Sequence, residues 1–106
     1  MTSNLKEWLA LNGYSQDNLN SVGKYGNSAI MKASREANLS IVDELISLNV
    51  DLNVKNIDGN SALWNACFGD SYACFEALVS AGINIDSQNV NNVTSLMYCA
   101  SAGKDI

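Results

Sequence analysis

The chain's first candidates for chemistry are its thiols and carboxylates: Cys67, Cys74, Cys99 and eleven Asp or Glu residues, with no histidine in 106 residues. Histidine is the commonest general base and the commonest metal ligand. Its absence excludes Ser–His and Cys–His nucleophile pairs, zinc fingers and His-ligated zinc sites within the chain. No two cysteines have the CxxC spacing of a redox or metal pair. Asp43 and Glu44 are neighbours in sequence, not two carboxylates facing each other across a cleft. Isolated Asp, Cys and Ser side chains without a base of suitable pKa make no catalytic constellation. The chemistry expected is therefore recognition, with no cofactor and no metal.

Composition narrows the setting. One domain fits this length, and with 47% apolar and 16% charged residues the chain is not disordered. No apolar stretch approaches the roughly 18 residues of a membrane-spanning helix. The opening Met1-Thr2-Ser3-Asn4 lacks a basic region followed by an apolar core, so no secretory signal is visible. Three cysteines without a signal point to reduced thiols in a cytoplasmic protein rather than a disulfide framework. A net charge of −5 argues against nucleic-acid and anionic-membrane partners. Proline is absent and there are 15 asparagines, so turns must be built from Gly, Asn, Asp and Ser.

The elements that position these residues emerge when the sequence is laid on itself. At an offset of 33, residues 25–57 align without a gap on 58–90, with eight identities: Gly26/Gly59, Asn27/Asn60, Ser28/Ser61, Ala29/Ala62, Ala33/Ala66, Leu45/Leu78, Ser47/Ser80 and Asn56/Asn89. A third copy opens with Thr94-Ser95-Leu96-Met97 and stops at Ile106. Ser28, Ser61 and Thr94 sit where a helix starts, their hydroxyls suited to capping the first turn. Small residues follow at matching places, which lets helices pack closely. A second helix follows Asn38 or Ser71, with apolar stripes at Ile41, Val42, Leu45 and Ile46, and at Phe75, Leu78 and Val79. Asn49 and Gly82 close these helices, being residue types that tolerate the left-handed conformation. Alternating segments, Val50-Asp51-Leu52-Asn53 and Ile83-Asn84-Ile85-Asp86, lead to turns at Asp58-Gly59 and Asn91-Asn92. Each unit reads as two short antiparallel helices plus a protruding turn.

At this point the chain resembles the ankyrin-repeat family. The 33-residue period carries Gly59-Asn60-Ser61-Ala62-Leu63 and Leu78-Val79-Ser80-Ala81-Gly82-Ile83-Asn84-Ile85-Asp86, close to the family's G-x-T-P-L-H and L-L-x-x-G-A-D-V-N segments. The resemblance covers residues 24–106 and implies an all-α fold: an ankyrin-repeat solenoid of antiparallel helix pairs joined by protruding β-turn or hairpin loops. The family's Thr-Pro-Leu-His becomes Ser-Ala-Ile-Met, Ser-Ala-Leu-Trp and Thr-Ser-Leu-Met here, which removes that His and the turn-to-helix hydrogen bonds it makes.

The organisation expected is a cap-like helix and long turn over 1–23, repeats over 24–56 and 57–89, and a partial repeat over 90–106. Leu5 to Gly13 reads as a second helix with Gly13 closing it, followed by a first turn three residues longer and looser than the next. The third copy keeps its first helix alone, which would leave Leu96, Met97 and Cys99 poorly covered, through truncation, fraying, or completion by another chain.

The resemblance also implies that another protein binds on the concave side formed by turns and first helices. The residues placed there by spacing are Lys24, Tyr25, Asn27 and Arg35, then Ile57, Asp58, Asn60 and Phe68, then Val90, Asn91, Val93 and Ser101. Phe68 and Ile57 fall at positions expected to be exposed, where an apolar side chain suits a partner; packing of Phe68 on a neighbouring helix is the alternative. Trp64 replaces the family His and reads as core filling, and the three cysteines as compact core residues. Residues 1–35 carry a net +2 and residues 36–106 a net −7, much of the latter on second helices. The function expected is a non-catalytic interaction module, with a role as a small inhibitor or antidote in the manner of bacterial immunity proteins. The alternative is an assembly element that forms a homodimer, or completes an array, through its open C-terminal face.

Overall fold

The repeated Ser, Asn and Gly positions become repeated backbone geometry. The computed structural model describes residues 1–101, and for Ser101 the backbone alone. It contains α1 (Ser3–Leu11), α2 (Ala29–Arg35), α3 (Leu39–Ser47), α4 (Ala62–Phe68), α5 (Tyr72–Ser80) and α6 (Ser95–Ser101). Left-handed residues recur at the 33-residue period: Gly26, Gly59 and Asn92 in the turns, Ala37 and Asp70 between paired helices, Asn49 and Gly82 after the second helices. Tyr25, with φ 62°, has no left-handed counterpart at Asp58 or Asn91.

The helices stack in two layers. Helices α2, α4 and α6 form one row, α1, α3 and α5 the other, with α2 against α3 and α4 against α5. Alanines at equivalent positions (Ala29, Ala33, Ala62, Ala66) are fully buried, so the first-helix row packs closely. Between the layers lie Leu5, Leu9, Ile41, Val42, Leu45, Leu63, Cys74 and Leu78, all at 1% exposure or less. Removing one such leucine costs about 2–5 kcal/mol. α1 lies in the second-helix row, against α3, with Gly13 left-handed at φ 75° beyond its end. Only isolated bridges, Val22 with Ser28 and Gln88 with Thr94, represent β-structure among the described residues.

Several local expectations need correcting. Ser61, Thr94, Asn38 and Ser71 accept first-turn N–H groups at 3.1–3.3 Å. Ser28 does not; its hydroxyl is buried without a partner among the described residues, while its backbone pairs with Val22 and accepts from the Tyr14 hydroxyl. Val79 is 40% exposed, because the buried stripe of α5 is Cys74, Phe75 and Leu78. On α6, Leu96 and Met97 are exposed as expected, but Cys99 is 1% exposed. It is joined to Cys67, with the two Cα atoms 5.9 Å apart. Stacking α6 on α4 brings residues 32 apart in sequence face to face, a pairing that sequence spacing alone conceals. Cys74 remains a free buried thiol whose pKa burial pushes up, a weak nucleophile.

Candidate protein-binding surface

Turn geometry comes before the surface it presents. The carbonyl of Asn27 accepts from Gly23 N–H, that of Asn60 from Asn56 N–H, and that of Val93 from Asn89 N–H, at 2.8–3.1 Å. Asparagine side chains then lock two of these turns from inside. Asn56 Oδ1 accepts from the N–H groups of Asp58 and Asn60, and Asn89 Oδ1 from those of Asn91 and Val93. Neighbouring turns are tied by Ile57 N–H to Tyr25 C=O and Val90 N–H to Asp58 C=O, both 3.0 Å. Asn56 Nδ2 also donates to Asn27 Oδ1 at 2.9 Å.

A second ladder runs closer to the second helices. Asn20 accepts from Asp51 N–H and Asn53 from Asn84 N–H, at 2.7 and 2.9 Å. Amide side chains thus supply turn hydrogen bonds in a chain that lacks the family's His, which gives five of its asparagines a structural role. The sequence shows this signal as Asn56/Asn89 and Asn20/Asn53, each pair 33 apart, but which N–H groups they reach depends on the folded turn.

The longer first loop is tied down as well. Tyr14 stacks on Trp8, with ring centroids 6.0 Å apart, and its hydroxyl donates towards the carbonyls of Asn27 and Ser28 at 3.1 and 3.3 Å. Burial, and secondarily the negative charge of Glu36, raises the Tyr14 pKa above the ordinary phenol value.

The turn tips expose a row of large side chains. Tyr25, Ile57 and Val90 are 57%, 66% and 64% exposed, on turns bonded to one another. Asp58 and Asn91 are exposed beside them, and Val93 is half-buried. Lys24 Nζ lies 5.0 Å from the centre of the Tyr25 ring. Between the first turn and α2 lies a groove of about 460 Å³, lined by Lys24, Tyr25, Asn27 and Arg35 together with Asn12, Tyr14, Gly23, Lys32 and Asn65. All four residues expected from the first full repeat thus share one cavity. Lys32, Tyr14 and Asn65 were missed by spacing, because they reach the groove from α2, the first loop and α4.

Two expected contact residues do not stand free. Asn60 is 7% exposed, drawn inward by the turn that Asn56 closes. Phe68 is half-buried, edge-on to Tyr98 at 4.9 Å and covered by the Arg35 guanidinium at 5.0 Å. The packing alternative for Phe68 holds because α6 and α2 both flank its end of α4. Ile57 is exposed as expected, and Trp64, at 2%, fills the core. The side chain of Ser101 lies outside the described residues.

Among the described residues no helix is long and apolar enough to cross a membrane. A family model for ankyrin repeats, in three copies, matches residues 2–89 and 30–106. No curated protein matches the chain. Ankyrin repeats generally mediate protein–protein interaction, and the family is typically non-catalytic. With its 33-residue period, its two rows of stacked helices and this match along nearly its whole length, the chain belongs to the ankyrin-repeat family.

Proposed function

We propose that this protein is a non-catalytic module that binds a protein partner through its turn tips and the adjoining groove of the first-helix row. The observation that carries this reading is the exposed row of Tyr25, Ile57 and Val90, on turns cross-linked by backbone hydrogen bonds. Apolar side chains held in water on a rigid frame lose little entropy on docking, and aromatic side chains are enriched among interface anchors. A photo-crosslinking amino acid at position 57 should trap protein adducts in cells, whereas one at Asp43, exposed on α3 in the other layer, should not. Equal trapping at both positions rejects the reading. The narrower role of inhibitor or antidote requires that the bound partner lose its own activity, measured with the purified trapped protein.

A second reading, self-association through α6, is favoured by the exposure of Leu96 and Met97 at 46% and 55%. It predicts a dimer at micromolar concentration in light scattering that Leu96→Glu disperses; a monomer throughout rejects it.

A further inference from the structure

We infer that the groove between the first turn and α2 receives an acidic stretch of the partner, with glutamate or aspartate carboxylates seated on Lys24 and Arg35. This rests on the interaction-module reading and names the chemistry of what is bound.

Three of the chain's six cationic side chains, Lys24, Lys32 and Arg35, line this one cavity, and no acidic side chain lines it. The protein as a whole carries −5, so a positive groove is a local departure from its general field. Lys32 is already bridged to Glu36 at 3.4 Å. Lys24 and Arg35 have no carboxylate partner among the described residues; each instead lies 5.0 Å from an aromatic ring, Tyr25 and Phe68 respectively. Those rings hold the charges in place without neutralising them. The cavity, about 460 Å³, is within the range of ligand sites, roughly 300–1,000 Å³.

Spacing favours a peptide over a single compact anion. Lys24 belongs to the turn before α2 and Arg35 is the last residue of that helix. The seven-residue helix that ends at Arg35 is about 10 Å long, and Lys24 lies ahead of its start. An extended chain advances about 3.3 Å per residue, so a stretch with several carboxylates can run along the length of this helix. The amide of Asn27 accepts from Asn56 through its oxygen, which leaves its Nδ2 hydrogens for a peptide carbonyl.

Fluorescence anisotropy with labelled hexaglutamate tests this, with hexaglutamine and hexauridylate as comparison probes. Hexaglutamate should bind, and more weakly as salt rises. The Lys24→Gln/Arg35→Gln double variant should lose roughly tenfold or more in affinity. Asp43→Asn, in the other layer, should change nothing. Both variants alter exposed side chains, and circular dichroism melts will verify their folding; if the double variant unfolds, Lys24→Gln alone should still weaken hexaglutamate binding severalfold. Equal binding of hexaglutamine, tighter binding of hexauridylate, or unchanged affinity in the folded Lys24→Gln variant overturns the inference. Crosslinking at position 57 is independent of this charge, so trapped protein with no hexaglutamate binding refutes the acidic ligand and leaves the module reading standing.

Discussion

The turn at Lys24–Asn27 and the turn at Ile57–Asn60 are copies of one frame. In both, a left-handed glycine (Gly26 or Gly59) precedes an asparagine whose carbonyl accepts the turn-closing N–H. Their surroundings make them different. The first carries a lysine and a left-handed tyrosine and opens onto a groove; the second carries an isoleucine and an aspartate. Asn27 Oδ1 is paired with Asn56, whereas Asn60 Oδ1 is buried without a partner among the described residues. The helix ends behind the turns differ in the same way. Glu36 caps α2 and is exposed, while its counterpart Gly69 caps α4 against the preceding helix. A Cβ at Gly69 would lie 2.3 Å from the carbonyl oxygen of Arg35. A repeat thus fixes the frame, and position in the stack decides what each copy tolerates.

The largest test of this contrast exchanges those two helix ends. Gly69→Glu forces α2 and α4 apart and should cost about 3 kcal/mol or more, beyond ordinary overpacking. Glu36→Gly loses only exposed contacts with Lys32 and Trp8 and should cost about 1 kcal/mol. Urea unfolding midpoints measure both, and similar losses would mean that the close approach is soft. Next come the turn locks. Asn56→Ala removes three hydrogen bonds and Asn89→Ala two. At about 1 kcal/mol each, the first should be the more damaging by that margin, again in urea; the reverse order would place turn stability elsewhere.

Tyr14 distinguishes the first loop from the shorter second one. Its folded-state pKa is raised, so its contribution is fully present below the unfolded value, about 10, and is lost as pH rises through the folded value. Tyr14→Phe should cost about 1 kcal/mol at neutral pH, and the gap from the parent should close above pH 10 in melts recorded across pH. A constant gap would assign the loss to packing. The smallest effect is expected at Asn60, whose counterpart in the third turn is Val93. Asn60→Val replaces an amide whose oxygen is buried without a partner among the described residues and should leave the melting temperature unchanged or slightly raised. A marked drop would show that the amide does work in the second turn that it does not do in the third.

Much of the fold was legible because its determinants are local. The 33-residue offset, the caps at Ser61, Asn38 and Ser71, the left-handed Asn49 and Gly82, and the apolar stripe of α3 all follow from short-range stereochemistry written twice in the sequence. Lys24, Tyr25, Asn27 and Arg35 were placed on the concave side by the family resemblance rather than by local stereochemistry, and all four line the groove. Asn60 was misplaced, and Phe68 was left open between exposure and packing, because repeat position says where a side chain starts, not what stands opposite it. Asn60 is drawn in by the amide of Asn56, and Phe68 is enclosed by Arg35 from one module and Tyr98 from the next.

By itself, then, the sequence determined the period, the helix pairs, the turn sites and the separation of positive from negative halves. These are properties of residues near one another along the chain. Tertiary structure alone decided that Cys67 meets Cys99, that Tyr14, Lys32 and Asn65 join a groove begun by the first turn, and that Gly69 has no room for a side chain. Those outcomes depend on how far one module slides against the next, a packing offset set by many side chains together and carried by no single stretch of sequence.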